Sequence, residues 1–127
     1  MRTRVAIAAC TTALAITLVA CSSENSESAA TAPSYKITKQ DNSGNSRNVE
    51  VSVNSAHDLK AVFDDVTKNL TDEAGYHVYI NCSTGGTAAV DNRLANGRLA
   101  RGNMGQAATG LNDGETEFET VEGHTCP

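Results

Sequence analysis

Basic side chains are scarce in this chain of 127 residues, which carries 10 Lys and Arg against 15 Asp and Glu. Two of the ten, Arg2 and Arg4, precede the first apolar segment and would leave with it if that segment were a cleaved leader. The remaining chain is strongly acidic. Because nucleic-acid binding depends on neutralising phosphates with Lys and Arg, we expect no nucleic-acid partner.

The apolar segment near the N-terminus is short. Residues 5–19 carry no charge, but a permanent transmembrane helix needs roughly 20 apolar residues. A positively charged start followed by an apolar run of this length is typical of a signal peptide. The pattern therefore predicts a leader rather than a membrane-spanning helix.

The leader ends in Leu18-Val19-Ala20-Cys21, and polar residues follow at once. These four residues resemble the lipobox of bacterial lipoproteins, where signal peptidase II cuts before the cysteine. The resemblance implies that residues 1–20 are a lipoprotein signal peptide. It also implies that Cys21 carries lipid, with acyl chains such as palmitate anchoring the protein on the extracytoplasmic side of the cell membrane. The alternative is an ordinary secretory leader that leaves Cys21 as a plain thiol.

Four cysteines are present. This processing would leave only two of them free to pair, because Cys10 leaves with the leader and the thiol of Cys21 is acylated. In an oxidising compartment, the remaining Cys82 and Cys126 are expected to form a disulfide. A zinc site that adds His77 and His124 is the alternative. The chain lacks the closely spaced Cys-Cys and His-His units of structural zinc sites, so we predict neither a metal nor another cofactor.

Composition divides the mature chain into two parts. Residues 21–33 contain no side chain large enough to build a core, which predicts a flexible polar tether. Residues 34–127 are expected to form a single small domain. With its Ala- and Thr-rich leader, this organisation resembles the small uncharacterised lipoproteins of high-GC Gram-positive bacteria. That resemblance assigns no functional residue.

The first half of the domain predicts a hairpin and a helix. Apolar and polar residues alternate over residues 34–39 and 49–53, which indicates two strands, and residues 40–46 are turn formers. A helix follows, with Asn54 or Ser55 as its N-cap and an end near residues 73–75. Its apolar residues at helical spacing are Leu59, Val62, Phe63, Val66 and Leu70.

The second half predicts further strands. Residues 76–82 alternate again and indicate a central strand. Gly85-Gly86 predicts a tight turn into a strand at 87–90, and Asn96-Gly97 predicts a second hairpin turn between Leu94 and Leu99. A bulge or helical turn at 91–93 is the alternative there. Residues 102–114 predict a long surface loop with one helical turn, and residues 115–121 predict a last strand.

These elements predict an α+β fold, namely ββα followed by three or four strands, with an antiparallel sheet, one helix on one face and one disulfide. Since one helix covers only one face, the other face of the sheet should be open. The residues expected on it are Lys36, Thr38, Glu50, Ser52, His77, Tyr79, Asn81, Glu117 and Glu119.

His77, Tyr79 and Asn81 are the candidate binding surface on this open face. Amphipathic aromatic side chains recur at protein interfaces, which favours a surface centred on His77 and Tyr79. The alternative is a solvated face of an antiparallel sheet that binds nothing.

Charged residues form two groups along the chain. Arg93, Arg98 and Arg101 lie on one predicted hairpin, and five acidic residues lie near the C-terminus: Asp113, Glu115, Glu117, Glu119 and Glu122. On adjacent strands the two groups would neutralise each other. If they lie apart, the arginines form a patch suited to an acidic partner or to anionic lipid.

Catalytic motifs are missing from the sequence. Ser83-Thr84-Gly85-Gly86 is neither the G-x-S-x-G elbow nor a P-loop, and the three histidines lie in unrelated contexts. We predict no catalytic residue. The expectation is a non-enzymatic envelope module that binds a protein or cell-wall partner. A lipoprotein that binds a small ligand or a metal is the alternative, and a small hydrolase is a third hypothesis.

Overall fold

The computed structural model describes residues 31–127, so the predicted leader, the lipobox with Cys21 and residues 22–30 of the tether lie outside the described residues. The elements are β1 (Tyr35–Gln40), β2 (Ser46–Val53), α1 (Leu59–Lys68), β3 (Ala74–Cys82), β4 (Asn92–Arg101), α2 (Gly102–Thr109) and β5 (Thr116–Thr120). Neither helix of this region is long and apolar enough to cross a bilayer.

The five strands form one mixed sheet in the order β1-β2-β3-β4-β5. The α+β class and the β1–β2 hairpin are confirmed, but the predicted antiparallel sheet is wrong at its centre, where β2 and β3 run parallel. The physical reason is the connection between them. A tight turn reverses the chain, whereas a crossover through a helix such as α1 brings the next strand back in the same direction.

Helix α1 covers the apolar face of the sheet with the residues that the sequence predicted. Its buried side chains pack on apolar side chains of β2, β3 and β4 in one core. These α1 residues and the one that follows the helix are Leu59, Val62, Phe63, Val66 and Leu70, and all five are buried. The helical spacing in the sequence therefore identified the side of α1 that faces the sheet.

Both predicted ends of α1 are wrong. Asp58, in a left-handed backbone conformation, is the N-cap, and the helix ends at Lys68. Arg101 of β4 accounts for part of the C-terminal boundary, because its Nε donates to the Leu70 carbonyl at 2.9 Å and its Nη2 donates to the Thr67 carbonyl at 3.2 Å. A cation that binds the last carbonyls of a helix stabilises its end.

Tyr35 connects the edge strand β1 to α1. Its hydroxyl donates a hydrogen bond of 2.8 Å to Asp65 Oδ2. Burial and this hydrogen bond raise the pKa of Tyr35 to about 12. The phenol is therefore neutral, and the bond is present, throughout the neutral pH range.

The predicted turn at Asn96-Gly97 is wrong, because both residues lie in the middle of the continuous strand β4. Gly97 pairs with Val78 on one side and with Phe118 on the other. The Phe63 ring lies directly over Gly97, where a side chain would collide with it. Here glycine makes room for an aromatic ring and does not form a turn. The predicted strand at 87–90 is also wrong, since residues 83–91 form a loop.

The predicted surface loop at 102–114 contains a second helix, α2, so the expectation of a single helix is wrong. Methionine, glutamine and alanine favour helix within this stretch, and Gly110 at φ 77° ends it. These signals were present in the sequence. Four glycines between 102 and 114 hid them, because glycine usually indicates a loop.

The predicted disulfide between Cys82 and Cys126 is confirmed, with the two Cα atoms 5.4 Å apart. It joins the end of β3 to the C-terminal tail. Two further side chains hold the tail, since Asn92 Nδ2 donates to the Thr125 carbonyl at 2.7 Å and Thr84 Oγ1 donates to the Pro127 carbonyl at 2.9 Å. The tail is therefore part of the folded structure.

Candidate functional site

The sheet face opposite α1 is polar, and its side chains lie in rows across the strands. Partners in the ladder share a face, so Glu50, Tyr79, Asn96 and Glu119 form one row. We call this surface the polar face. It consists of Lys36, Lys39, Asn48, Glu50, Ser52, His77, Tyr79, Asn81, Arg93, Asn96, Arg98, Glu117 and Glu119. Thr38, the other residue expected there, lies in a β-bulge of β1.

Tyr79 and Arg93 form a stacked pair near the centre of the polar face. The Arg93 guanidinium carbon lies 4.2 Å from the centroid of the Tyr79 ring. Arg93 also donates from Nε to Asn81 Oδ1 at 2.6 Å and from Nη1 to Asn96 Oδ1 at 2.8 Å. Such a cation–π contact contributes about 0.5–2 kcal/mol, and the two amides fix the plane of the guanidinium. Tyr79 is thereby held in one orientation while its side chain stays half-buried.

His77 lies next to a pair of opposite charges. Its ladder partner Arg98 donates from Nε to Glu117 Oε2 at 2.9 Å, and Nη2 of Arg98 contacts the same oxygen. Nη1 of Arg98 donates to the Thr109 carbonyl at 3.1 Å, near the end of α2. The half-buried His77 imidazole forms no hydrogen bond with any residue of 31–127. Its two ring nitrogens are therefore available to a ligand.

A shallow depression of about 680 Å³ lies over β3, β4 and β5. Its polar side chains are His77, Tyr79, Asn96, Arg98, Glu117 and Glu119. The depression therefore combines a phenol, an imidazole, an amide and charges of both signs within one surface.

Helix α2 closes one end of the polar face, which the sequence had predicted to be open throughout. A Cβ on Gly75 of β3 would lie 2.7 Å from Ala108 Cβ and 2.8 Å from Thr109 Cγ2. A Cβ on Gly105 would lie 2.5 Å from the Ala74 carbonyl oxygen. These glycines allow the helix to pack directly on the backbone of the strand. The open part of the polar face is therefore its centre, over Tyr79 and His77, together with the end away from α2.

The three candidate residues named from the sequence lie on the polar face, but they have different roles. His77 and Tyr79 line the depression. Asn81 is only 7% exposed and accepts a hydrogen bond from Arg93, so it positions Arg93 and offers little surface to a partner. Sequence reasoning missed Arg93, Asn96 and Arg98 as members of this site because it placed a turn at Asn96-Gly97.

The three arginines of β4 do not form one patch. Arg98 pairs with Glu117, as the neutralising alternative predicted. Arg93 stacks on Tyr79, and Arg101 lies on the other face at the end of α1. Strand alternation separates Arg98 from Arg101, and the bulge between Ile80 and Asn81 sets the position of Arg93.

Residues 31–127 contain no group of three or more His, Cys, Asp or Glu side chains placed to hold a metal ion. The two cysteines of the zinc alternative are joined in the disulfide. The two histidines of that alternative have different neighbours: His124 Nδ1 lies 2.7 Å from the Arg93 carbonyl oxygen, and His77 lies beside Arg98.

No protein-family model matches this chain, and no curated protein or solved structure matches it.

Proposed function

We propose that this protein is a membrane-anchored extracytoplasmic lipoprotein and that its polar face binds a protein or cell-wall partner without catalysis. The observation that carries the proposal is the ordered, uncovered centre of the polar face, where Arg93 and two amides hold the Tyr79 ring. The lipobox-like residues before Cys21 support the anchor. A disulfide also suits an oxidising compartment outside the cytoplasm.

Two physical properties favour binding at this position. Tyrosine and arginine are enriched among the residues that contribute most to binding energy, and here they form one stacked unit. Side chains that are already ordered lose less conformational entropy when a partner binds. His77 adds two ring nitrogens in the same depression. The surface therefore has both the residue types and the rigidity of an interaction site.

The double substitution His77→Ala/Tyr79→Ala is expected to reduce capture of the partner at least about tenfold, because it removes two central contacts. Capture is measured by cross-linking in living cells and quantitative mass spectrometry of the bound proteins and glycans. The free energy of unfolding should fall by about 1–2 kcal/mol, because both side chains are only half-buried but the contact between Tyr79 and Arg93 is lost.

The matched control is His57→Ala/Lys68→Ala, which changes two exposed residues, one just before the N-cap of α1 and one at the last position of that helix. This variant should capture the partner as the unmodified protein does. Equal capture by both double variants would remove the polar face from the proposal. A variant that had lost its fold would be recognised by circular dichroism before the capture is interpreted.

The anchor is tested separately with Cys21→Ser. Two acyl chains, at about 0.8 kcal/mol per buried CH₂, hold a protein stably on a membrane. We therefore expect the unmodified protein in the membrane fraction and the Cys21→Ser protein largely outside it, measured by fractionation and immunoblotting. Labelling with a fatty-acid analogue should be lost in parallel. Lipid label on the Cys21→Ser protein would show that Cys21 is not the lipidated residue.

The size of the depression favours a second candidate, a small polar ligand. Its volume of about 680 Å³ lies within the range of small-molecule sites, roughly 300–1,000 Å³. A ligand that binds only the folded state raises the melting temperature. Thermal-shift screening of the purified protein therefore discriminates the two candidates, since a partner protein without a small ligand leaves the screen negative.

A further inference from the structure

The two edges of the sheet differ in how they are protected. On β1 a bulge between Ile37 and Lys39 interrupts the ladder, and the strand carries Lys36 and Lys39. Bulges and lysines are the usual devices that prevent another strand from pairing with an edge. On β5 the ladder with β4 is regular from Thr116 to Thr120, and the strand contains neither lysine nor proline. The edge at β5 is therefore the accessible one.

The backbone pattern of β5 shows which groups are available. Val121 N donates to the Leu94 carbonyl, and Ala100 N donates to the Glu115 carbonyl. Residues 115, 117, 119 and 121 thus direct their N–H and C=O groups toward β4, because these groups alternate along a strand. The outward groups belong to Thr116, Phe118 and Thr120. Among residues 31–127, no other strand pairs with this side of β5.

The side chains of β5 indicate which charge a strand added at this edge should carry. Glu117 and Glu119 lie on the polar face, and Phe118 points the other way, with its ring centroid 5.3 Å from that of Phe63. Glu117 pairs with Arg98, whereas Glu119 forms no salt bridge with any residue of 31–127. A strand added at this edge would therefore meet a negative charge at Glu119 and an apolar ring at Phe118.

A second copy of this chain is poorly suited to the edge. If two β5 strands paired antiparallel about Phe118, Glu117 of each copy would lie opposite Glu119 of the other. Like charges directly opposite each other in a ladder are destabilising. The charge pattern thus disfavours the homodimer and favours a basic partner.

We propose that β5 binds an extended basic segment of a partner protein by antiparallel strand addition. The segment places an apolar residue opposite Phe118 and Lys or Arg on either side of it, opposite Glu117 and Glu119. Glu117 and Glu119 also line the depression that contains His77 and Tyr79, but strand addition uses the outward backbone groups of β5. That edge lies about 9.5 Å, or two strand spacings, from β3. The inference therefore does not depend on the proposed function.

The probe is the labelled peptide acetyl-Ser-Thr-Lys-Val-Lys-Thr-Ser-amide. The full-length protein, in a non-ionic detergent, is titrated into this peptide, and binding is measured by fluorescence anisotropy. The valine of the peptide is the residue placed opposite Phe118, so the valine N–H points at β5 and the N–H groups of both lysines point away. N-methylation of the valine should weaken binding at least about tenfold, because it removes a ladder hydrogen bond. N-methylation of the second lysine should change it less than about twofold. Equal effects of the two methyl groups would overturn strand addition.

The charge component is tested with Glu119→Gln, which should weaken binding of the unmodified peptide about two- to fivefold. Glu122→Gln, an exposed carboxylate beyond the end of β5, is the matched control and should leave the affinity unchanged. Equal affinities of the two variants would contradict the placement of the basic residues. If the protein forms a dimer in analytical ultracentrifugation and does not bind the peptide, a second copy of the chain occupies the edge. His77→Ala/Tyr79→Ala should keep the peptide affinity, which separates this inference from the proposed function.

Discussion

Gly97→Ala is expected to lower the free energy of unfolding by about 3 kcal/mol. Gly97 lies in the middle of β4, and a Cβ there would collide with Phe63 Cε2 and lie 2.6 Å from Cδ2 and 2.9 Å from Cζ of the same ring. Phe63 is fully buried against the sheet and packs on Phe118, so its ring can move away from an added Cβ only by displacing its neighbours in the core. Overpacking of a dense core typically costs about 1–3 kcal/mol, and this contact is a severe one. Urea denaturation of both proteins measures the difference.

A second substitution checks the cause. Adding Phe63→Leu to Gly97→Ala shortens the opposing side chain, so the two changes together should destabilise less than the sum of their separate effects. An alanine in a strand is intrinsically favoured over glycine by about 0.5–1 kcal/mol. A Gly97→Ala protein as stable as the parent would therefore show that Phe63 does not lie against this backbone.

Replacing both cysteines, Cys82→Ser/Cys126→Ser, is expected to lower the free energy of unfolding by about 4 kcal/mol. The disulfide joins residues 44 apart in sequence, and the chain-entropy model gives a stabilisation of this size for such a loop. The native tail also loses its covalent link, and only hydrogen bonds such as that from Asn92 to Thr125 then hold it to the domain. Denaturant unfolding and melting temperature measure the effect.

Reductant provides the control for the cysteine substitutions. It should destabilise the parent protein by a similar amount and leave the doubly substituted protein unchanged, because the latter has no disulfide to reduce. A doubly substituted protein within about 1 kcal/mol of the oxidised parent would contradict a stabilising role. In that case the hydrogen bonds and packing of the tail would suffice to keep it in place.

Local sequence patterns predicted part of the candidate site. The alternation through residues 76–82 identified β3 and placed His77, Tyr79 and Asn81 on the face opposite Val78 and Ile80, as the structure has them. Arg93 could not be found in this way. Its contact with Tyr79 depends on which strand lies beside β3 and on the bulge that shifts the register there.

Gly97 illustrates the same limit. Asn-Gly usually forms a hairpin turn because both residues tolerate positive φ. In this chain the glycine serves a different need, which is space for the Phe63 ring. The two uses of glycine are identical in sequence, and only the position of α1 over β4 distinguishes them.

By itself, the sequence determined the α+β class, the buried side of α1, the β1–β2 hairpin, the central strand β3 and the partnership of Cys82 with Cys126. These features depend on residue period and on the small number of cysteines, which are properties of short segments or of composition. Only the tertiary structure decided the parallel pairing of β2 with β3, the packing of α2 on Gly75, and the assembly of Tyr79 with Arg93. Each of these joins segments that are distant along the chain, so strand register and the space between elements determine it.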